Sequence, residues 1–569
     1  MNGPSASGWP SIPSMNPPPS GPHGGHGYPR PQLQRATWQS LNGRWQFAID
    51  PEAEWRRPEE VLHDQVIEVP YAPETQRSGV GDTSLFRACW YRTRVATPAL
   101  GDGERLLLHF GAVDYEASVW VEGVLVGQHE GGYTPFTLDV TEQVRGRDAF
   151  TLDVRAFDDP ADLAKPRGKQ DWLREPHSIW YPRTTGIWQT VWIERVPRMS
   201  IQRLRWTPDV DRWEIGLEVR VSGAHNRPLR LAVRLRVGPM ILADDVYSVV
   251  AGEVHRRIAL SDPGIDDSRN LLLWCPERPT LITAELCLLD PQGQVLDTVR
   301  SYTALRSVGV QGDRFVLNGQ PCPLRLVLDQ GYWPETGMTA PSDEALRRDV
   351  ELTRQMGFNG ARKHQKIEDP RYLYWADRLG LMVWEEMPSA YRFTRRSIQR
   401  LTTQWTEAVL RDVSHPCIIA WVPFNESWGV PNLPANAPER HFVQAAYHLT
   451  KSLDPTRPVI GNDGWESVAT DIMGIHDYDA NPAQIAQRYA TPAIIPQLLK
   501  RGRPGGRRLV LEGHPLADVP LVLSEFGGIA LSRDPDHTWG YSTSLSPSEL
   551  GRRYTALMQV VTSLEVLAG

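Results

Sequence analysis

The chain has 569 residues, of which 41% are hydrophobic and 23% charged, the balance of a globular protein with room for about three or four domains. A formal charge of −7 is small for this length and argues against nucleic acid or an anionic membrane as partner. No run of eighteen apolar residues exists, so no membrane span is expected, and five cysteines without metal-type spacing (Cys89, Cys275, Cys287, Cys322, Cys417) point to a reducing, cytoplasmic setting with no zinc site.

Residues 1–30 are rich in Pro, Gly and Ser, as in Asn16-Pro17-Pro18-Pro19-Ser20. Such a stretch buries too little apolar area to offset chain entropy, and a disordered leader is expected. It lacks a charged n-region and an apolar h-region, so no secretory signal is read. From 31 to 198 the chain shows short strands: Leu106–Phe110, Ala117–Val121, the turn Glu122-Gly123 with Val124–Val126, and Phe150–Val154. Alternating apolar and polar residues with Gly-containing turns predict a β-sandwich. Residues 199–307 repeat the pattern in Leu217–Val221 and Leu229–Leu235, over a length that suits one immunoglobulin-like β-sandwich.

The pattern changes after Val310. Strands at 324–328, 358–362, 381–384, 418–422, 458–461, 471–475 and 521–524 alternate with helices at 342 onward, 370–379, 397–413, 439–453 and 547–567. Ser342 is the expected cap of the first helix, and Ser546 with Glu549 forms an expected capping box on the last. This is the rhythm of a TIM barrel over 308–569. The strands number seven, so a (β/α)8-type barrel lacking its eighth βα unit is expected. Its edges at 324–328 and 521–524 would then be open.

Functional groups of such a barrel sit at the carboxyl ends of its strands. Two strands there end in glutamate: Trp421-Val422-Pro423-Phe424-Asn425-Glu426-Ser427-Trp428 and Leu521-Val522-Leu523-Ser524-Glu525-Phe526-Gly527-Gly528. Two carboxylates converging on one sugar ring are the minimum equipment for glycoside hydrolysis. His364, His476 and Asp329 also lie near strand ends, as structural residues or sugar ligands. Tryptophan outnumbers tyrosine, 21 to 17. Trp333, Trp428 and Trp539 are each either core or subsite wall. The basic run Arg501–Arg508 reads as a solvated loop.

From residue 37 onward the chain resembles family 2 glycoside hydrolases. The matching segments are Thr185-Gly186-Ile187-Trp188-Gln189-Thr190-Val191-Trp192, Gly357-Phe358-Asn359-Gly360-Ala361-Arg362, Asn425-Glu426-Ser427 and Ser524-Glu525-Phe526-Gly527. The resemblance implies a jelly-roll sugar-binding domain, an immunoglobulin-like domain and a catalytic barrel, in that order. It also implies a retaining, exo-acting mechanism, with Glu426 as acid/base and Glu525 as nucleophile. Asn425 would bind the sugar 2-hydroxyl, while Arg362 and Tyr478 would hold the nucleophile.

The chain departs from the family at Lys363-His364-Gln365, where the family has Ser-His-Tyr. It also departs after Glu385-Glu386-Met387, where no downstream Glu and His suggest magnesium, so no metal or other cofactor is expected. A carbohydrate substrate is expected, with a β-galactoside first, and homo-oligomerisation stays open. The competing expectation is a non-catalytic carbohydrate-binding protein or an inactive fragment, because the barrel is incomplete.

Overall fold

A computed structural model describes residues 26–223, 228–261, 269–516, 518–534 and 538–569. Residues 1–25 of the expected leader lie outside the described residues. The rest of that expectation is corrected: residues 26–30 are packed. Tyr28 is buried, and its hydroxyl donates to Glu194 at 2.5 Å, with Leu33 O 2.9 Å from the same hydroxyl oxygen. An aromatic ring and a paired arginine, Arg30 to Glu194, supply here what the Pro/Gly composition lacks.

The first domain is two antiparallel sheets over one core. The six-stranded sheet runs Gln65–Val69, Gly43–Asp50, Ala88–Ala96, Ala149–Phe157, Glu116–Val121, Val124–Glu130. The four-stranded sheet runs Trp38–Ser40, Val191–Pro197, Glu104–Phe110, Phe136–Asp139. Period-two alternation sends Phe150, Leu152 and Val154 inward to meet Phe47, Leu108 and Ile193. The Glu122-Gly123 turn joins its hairpin through two residues with positive φ, 51° and 76°, the geometry that matches strand twist. A second pair of antiparallel sheets, of three and four strands between Ser200 and Thr303, shares a separate core around Trp206, Leu217, Leu231 and Leu286.

The barrel follows. Its first four strands, Leu326–Asp329, Gly360–Lys363, Met382–Glu386 and Ile418–Val422, form one parallel sheet. Residues 459–463 take the fifth place through parallel bridges from Trp421 to Val459 and from Asn425 to Asp463. Met473–Asp477 and Leu521–Phe526 pair in parallel as sixth and seventh. Helices between them are started and stopped by local chemistry. Ser342 accepts from Ala345 N at 3.1 Å, and Gly380, at φ 77°, ends the helix Pro370–Leu379. On the last helix, Pro547–Val561, Ser546 does cap Glu549 N. The Glu549 carboxylate, however, accepts from Leu545 N, one residue short of the box expected from sequence.

The expectation of wholly open edges is corrected at one end. Ala568 accepts from Leu324 N at 2.9 Å and donates its own N–H to Leu521 O at 2.7 Å, and Gly569 O accepts from Leu523 N at 3.0 Å. These residues lie between the first and seventh strands, and Ala568 is buried in the barrel core. Above them, among the described residues, Leu326–Asp329 pairs only with the second strand.

Two features join the domains. The segment 28–35 touches the first sandwich at Glu194, the second at Asp297 and Arg300, and the barrel at Ser414. The loop 158–185 of the first sandwich lies on the barrel's carboxyl end: Arg167 N donates to Ser389 O at 2.9 Å and Tyr391 N to Leu163 O at 2.9 Å.

Candidate active site

Glu426 follows the fourth strand at a forced turn. Glu426 and Ser427 have φ of 52° and 57°, left-handed values that cost about 1–3 kcal/mol each for residues bearing a Cβ. The surroundings over-determine the turn. Glu426 N donates to Asp463 O at 3.0 Å, Ser427 N to Asn462 Oδ1 at 3.0 Å, and Ser427 Oγ to Glu466 at 2.6 Å. The turn aims the Glu426 carboxylate across the barrel mouth. Glu525 projects from the seventh strand, opposite. One carboxylate oxygen of each and a ring nitrogen of His476 lie within 4.8 Å of one another.

Arg362, buried at the end of the second strand, organises the charges. Its Nη1 donates to Glu525 at 2.6 Å, its Nη2 to Asn425 Oδ1 at 2.6 Å, and its Nε to Glu386 at 2.9 Å, while Asp463 lies 3.0 Å from Nη2. A planar guanidinium with five donors can satisfy such a ring of acceptors; an ammonium cannot. Burial works against its charge, but Asp463, Glu386 and Glu525 push its pKa well above the usual value. Burial alone would protonate Glu525. His476, Arg362 and His364, with a hydrogen bond from the Tyr478 hydroxyl, reverse that and hold the carboxyl well below its ordinary range.

His476 bridges the two glutamates. Its Nδ1 is 2.6 Å from Glu426, and its Nε2 is 3.3 Å from Asp463 and 3.5 Å from Glu525. Burial disfavours the imidazolium, yet Glu525, Asp463 and Glu426 together raise its pKa to about 10. A second cluster of ligand-type groups, Asp377, His415 and Cys417, is fully buried, and its carboxylate already accepts from Tyr302 and from Cys417 N.

Of the residues singled out in the sequence, Glu426, Glu525, Asn425, Arg362, Tyr478, His364 and His476 converge; His364 Nδ1 is 2.9 Å from Glu386 and 3.8 Å from Glu525. Asp329 is held apart by Lys363 at 2.8 Å. Trp428 Nε1 lies 3.3 Å from Glu426 and its ring meets those of Trp180 and Tyr391. Trp539 is half-exposed and packs edge-on to Tyr541, which stacks on Tyr478 at 3.6 Å. Trp333 packs against the barrel core. In the basic run, Arg507 pairs with Glu466 while its neighbours are exposed.

Sequence reasoning missed Glu386, Asp463 and Lys169. The first two end the third strand and the fifth barrel position, so the rule that located Glu426 could have found them. Lys169 comes from a different domain, and the only local hint was glycine beside an aromatic-rich stretch, Gly168-Lys169-Gln170-Asp171-Trp172.

Two family models match the chain: "Glycosyl hydrolases family 2, TIM barrel domain" over residues 308–491 and "Glycosyl hydrolase 2 galactose-binding domain-like" over 59–189. A β-galactosidase of Thermoanaerobacter pseudethanolicus is 25% identical over 408 residues, 70% of this chain and 51% of that protein. A β-glucuronidase of Paenibacillus borealis is 26% identical over 480 residues, 76% of this chain and 74% of that protein. The chain thus spans about half the length of the first of these relatives. A solved β-glucuronidase from Ruminococcus gnavus in complex with D-glucuronic acid covers 95% of this chain and 91% of its own at a TM-score of 0.73 and 19% identity, a likeness of fold. With both a barrel model and a sugar-binding-type model of one family matched in order along more than half of its length, the chain belongs to glycoside hydrolase family 2.

Proposed function

We propose that the protein is a retaining, exo-acting β-glycosidase that releases a terminal β-linked sugar. In this reading the first sandwich is a jelly-roll sugar-binding domain and the second is immunoglobulin-like. The observation that carries the proposal is the asymmetry of the two close carboxylates. Glu525 is locked in its ionised form by Arg362, His476 and Tyr478, while Glu426 sits within 4.8 Å of it. A separation of this order suits double displacement; inversion needs room for a water, with the carboxyl groups about 6.5–9.5 Å apart.

In the first step Glu525 attacks the anomeric carbon. The glycosidic C–O bond breaks with its electron pair moving to oxygen, and Glu426 delivers a proton to that oxygen. In the second step Glu426 takes a proton from water, the water oxygen attacks the anomeric carbon, and the ester to Glu525 breaks. His476 occupies one Glu426 oxygen, Oε1, which leaves Oε2, on the Trp428 side, for the leaving group. Asn425 Oδ1 is engaged by Arg362, so its amide N–H groups remain to donate to a sugar hydroxyl. β-Galactosides and β-glucuronides are the substrates named for relatives, and both belong in the assay.

The test is hydrolysis of a panel of aryl β-glycosides by the wild type and by Glu525→Gln. Turnover by the wild type is expected, with loss of it in the variant while the melt stays cooperative, because an amide cannot form the ester. A wild type that binds sugars without turnover would establish a carbohydrate-binding protein instead.

A further inference from the structure

The mechanism above makes no use of Lys169, although it lies at the barrel mouth. An ammonium has three donors and no acceptor, and removing it from water without an acceptor is costly. Lys169 is only 7% exposed. Among the described residues its Nζ has no ion pair within 4.0 Å and no hydrogen bond; it lies 5.1 Å from the centroid of the Trp180 ring. That ring in turn meets Trp428, which touches Glu426.

The position is enforced by the backbone. Gly168 has φ +62°, and a Cβ there would lie 2.2 Å from Gln365 O, so only glycine lets the sandwich loop press this close to the barrel. Gly168 N donates to Ser389 O at 3.2 Å, the Tyr391 hydroxyl donates to Gly168 O, and Tyr181 N donates to Lys169 O at 2.9 Å. The loop is therefore tied on both sides of the lysine.

The charges facing Lys169 come from four barrel strands: Glu525, Glu426 and Glu386 attract it, and Arg362 repels it. The negative groups already have counter-ions. Arg362 holds Glu525 at 2.6 Å, Glu386 at 2.7 Å and Asp463 at 3.0 Å, and His476 holds Glu426 at 2.6 Å. Burial lowers the pKa of Lys169, and these spent carboxylates do not restore it. The Lys169 side chain is thus largely buried against the Trp180 ring, which meets Trp428 beside Glu426, and among the described residues its ammonium has no anion of its own.

Resting on the glycosidase reading, we propose that Lys169 is a specificity-determining residue that binds a carboxylate carried by the bound sugar, so that the preferred substrates are β-linked acidic sugars. A carboxylate gives the ammonium a charge-assisted hydrogen bond, whereas a neutral sugar gives it only hydroxyl oxygens.

The test compares kcat/KM on 4-nitrophenyl β-glucuronide, β-galacturonide and β-galactoside for the wild type, Lys169→Met and Lys169→Arg. The expected result is a wild type that prefers a uronide. The uronide-to-galactoside ratio should fall about 10- to 100-fold in Lys169→Met, carried by KM, with Lys169→Arg recovering part of it. A wild type that hydrolyses only neutral glycosides, or equal losses on all three substrates, overturns the inference and leaves the glycosidase reading intact. A wild type that hydrolyses none of a full aryl-glycoside panel defeats that reading instead. Calorimetric titration with D-glucuronate against D-glucose then decides the inference, which stands if glucuronate binding is lost in Lys169→Met and falls if it is not.

Discussion

At the scale of single residues, the two glutamates are distinguished by what surrounds them, and the distinction has kinetic and pH consequences. Glu426→Ala should slow the hydrolysis of poor leaving groups by about 10²–10⁴-fold and that of 2,4-dinitrophenyl glycosides much less, since the latter need little protonation. Equal losses on both, measured as kcat/KM, would remove Glu426 from the acid role. His476 gains affinity for its proton on folding, from 6.5 to about 10. Between those values the folded state binds more protons than the unfolded one, so its contribution to stability is whole below pH 6.5 and lost as pH rises through about 10. Glu525 runs the other way: its contribution is present above the ordinary value of 4.5 and is lost as pH falls toward its depressed folded value. Thermal melts across pH should therefore decline on both flanks, and His476→Asn should flatten the alkaline flank. An unchanged alkaline flank in that variant would show that the imidazolium is not formed. The two glutamates and Asn425 were legible in sequence because each follows or ends a strand that an apolar run announces, whereas Arg362 and Tyr478 were singled out through the resemblance to family 2 glycoside hydrolases. Lys169 was not, because what makes it unusual is a missing partner, and partners are fixed only by the fold.

Among elements, the strands and helices of the barrel lie within a few residues of their expected places because their periodicities are long and clean. The fifth position was marked only by Pro458–Gly461, and the structure joins 459–463 to its neighbours by isolated bridges, which alternation cannot register. The loop 158–185 carries no periodicity at all. Its course depends on Gly168, Tyr391 and Ser389, which are far apart in the chain. Gly168→Ala should therefore act well beyond one methyl group. A left-handed residue with a Cβ forced against Gln365 O should cost about 1–3 kcal/mol and lower activity on every aryl glycoside by displacing the loop. The melt and the kinetics check this together; a variant indistinguishable from wild type in both would mean that the loop is free to shift without consequence.

For the whole molecule, the passage from sandwiches to barrel was visible as a change of rhythm at Val310, but the tie among the three domains was not, because it comes from residues 28–35, a short stretch without periodicity that straddles the end of the expected leader at residue 30. Arg35 is buried between Asp297 at 2.8 Å and Glu194 at 3.5 Å, and Gln32 donates to Ser414 O at 2.9 Å. Removing one partner of a buried ion pair costs about 3–5 kcal/mol. Arg35→Ala should accordingly lower the melting temperature and split a single calorimetric transition into two, one for each side of the broken tie; a single unshifted transition would show that the domains are coupled by other contacts. The same segment bears on how the protein is made. Arg35 leaves the ribosome 262 residues before Asp297, and Gln32 leaves 382 residues before Ser414. At ordinary rates of translation that is a wait on the order of tens of seconds. During it the first sandwich can fold, with Arg30 already available to Glu194, while Arg35 and Gln32 stay in water. The clasp among the three domains can therefore close only after the first part of the barrel, through Ser414, has emerged, and the segment 28–35 waits for its last partner long after its own synthesis.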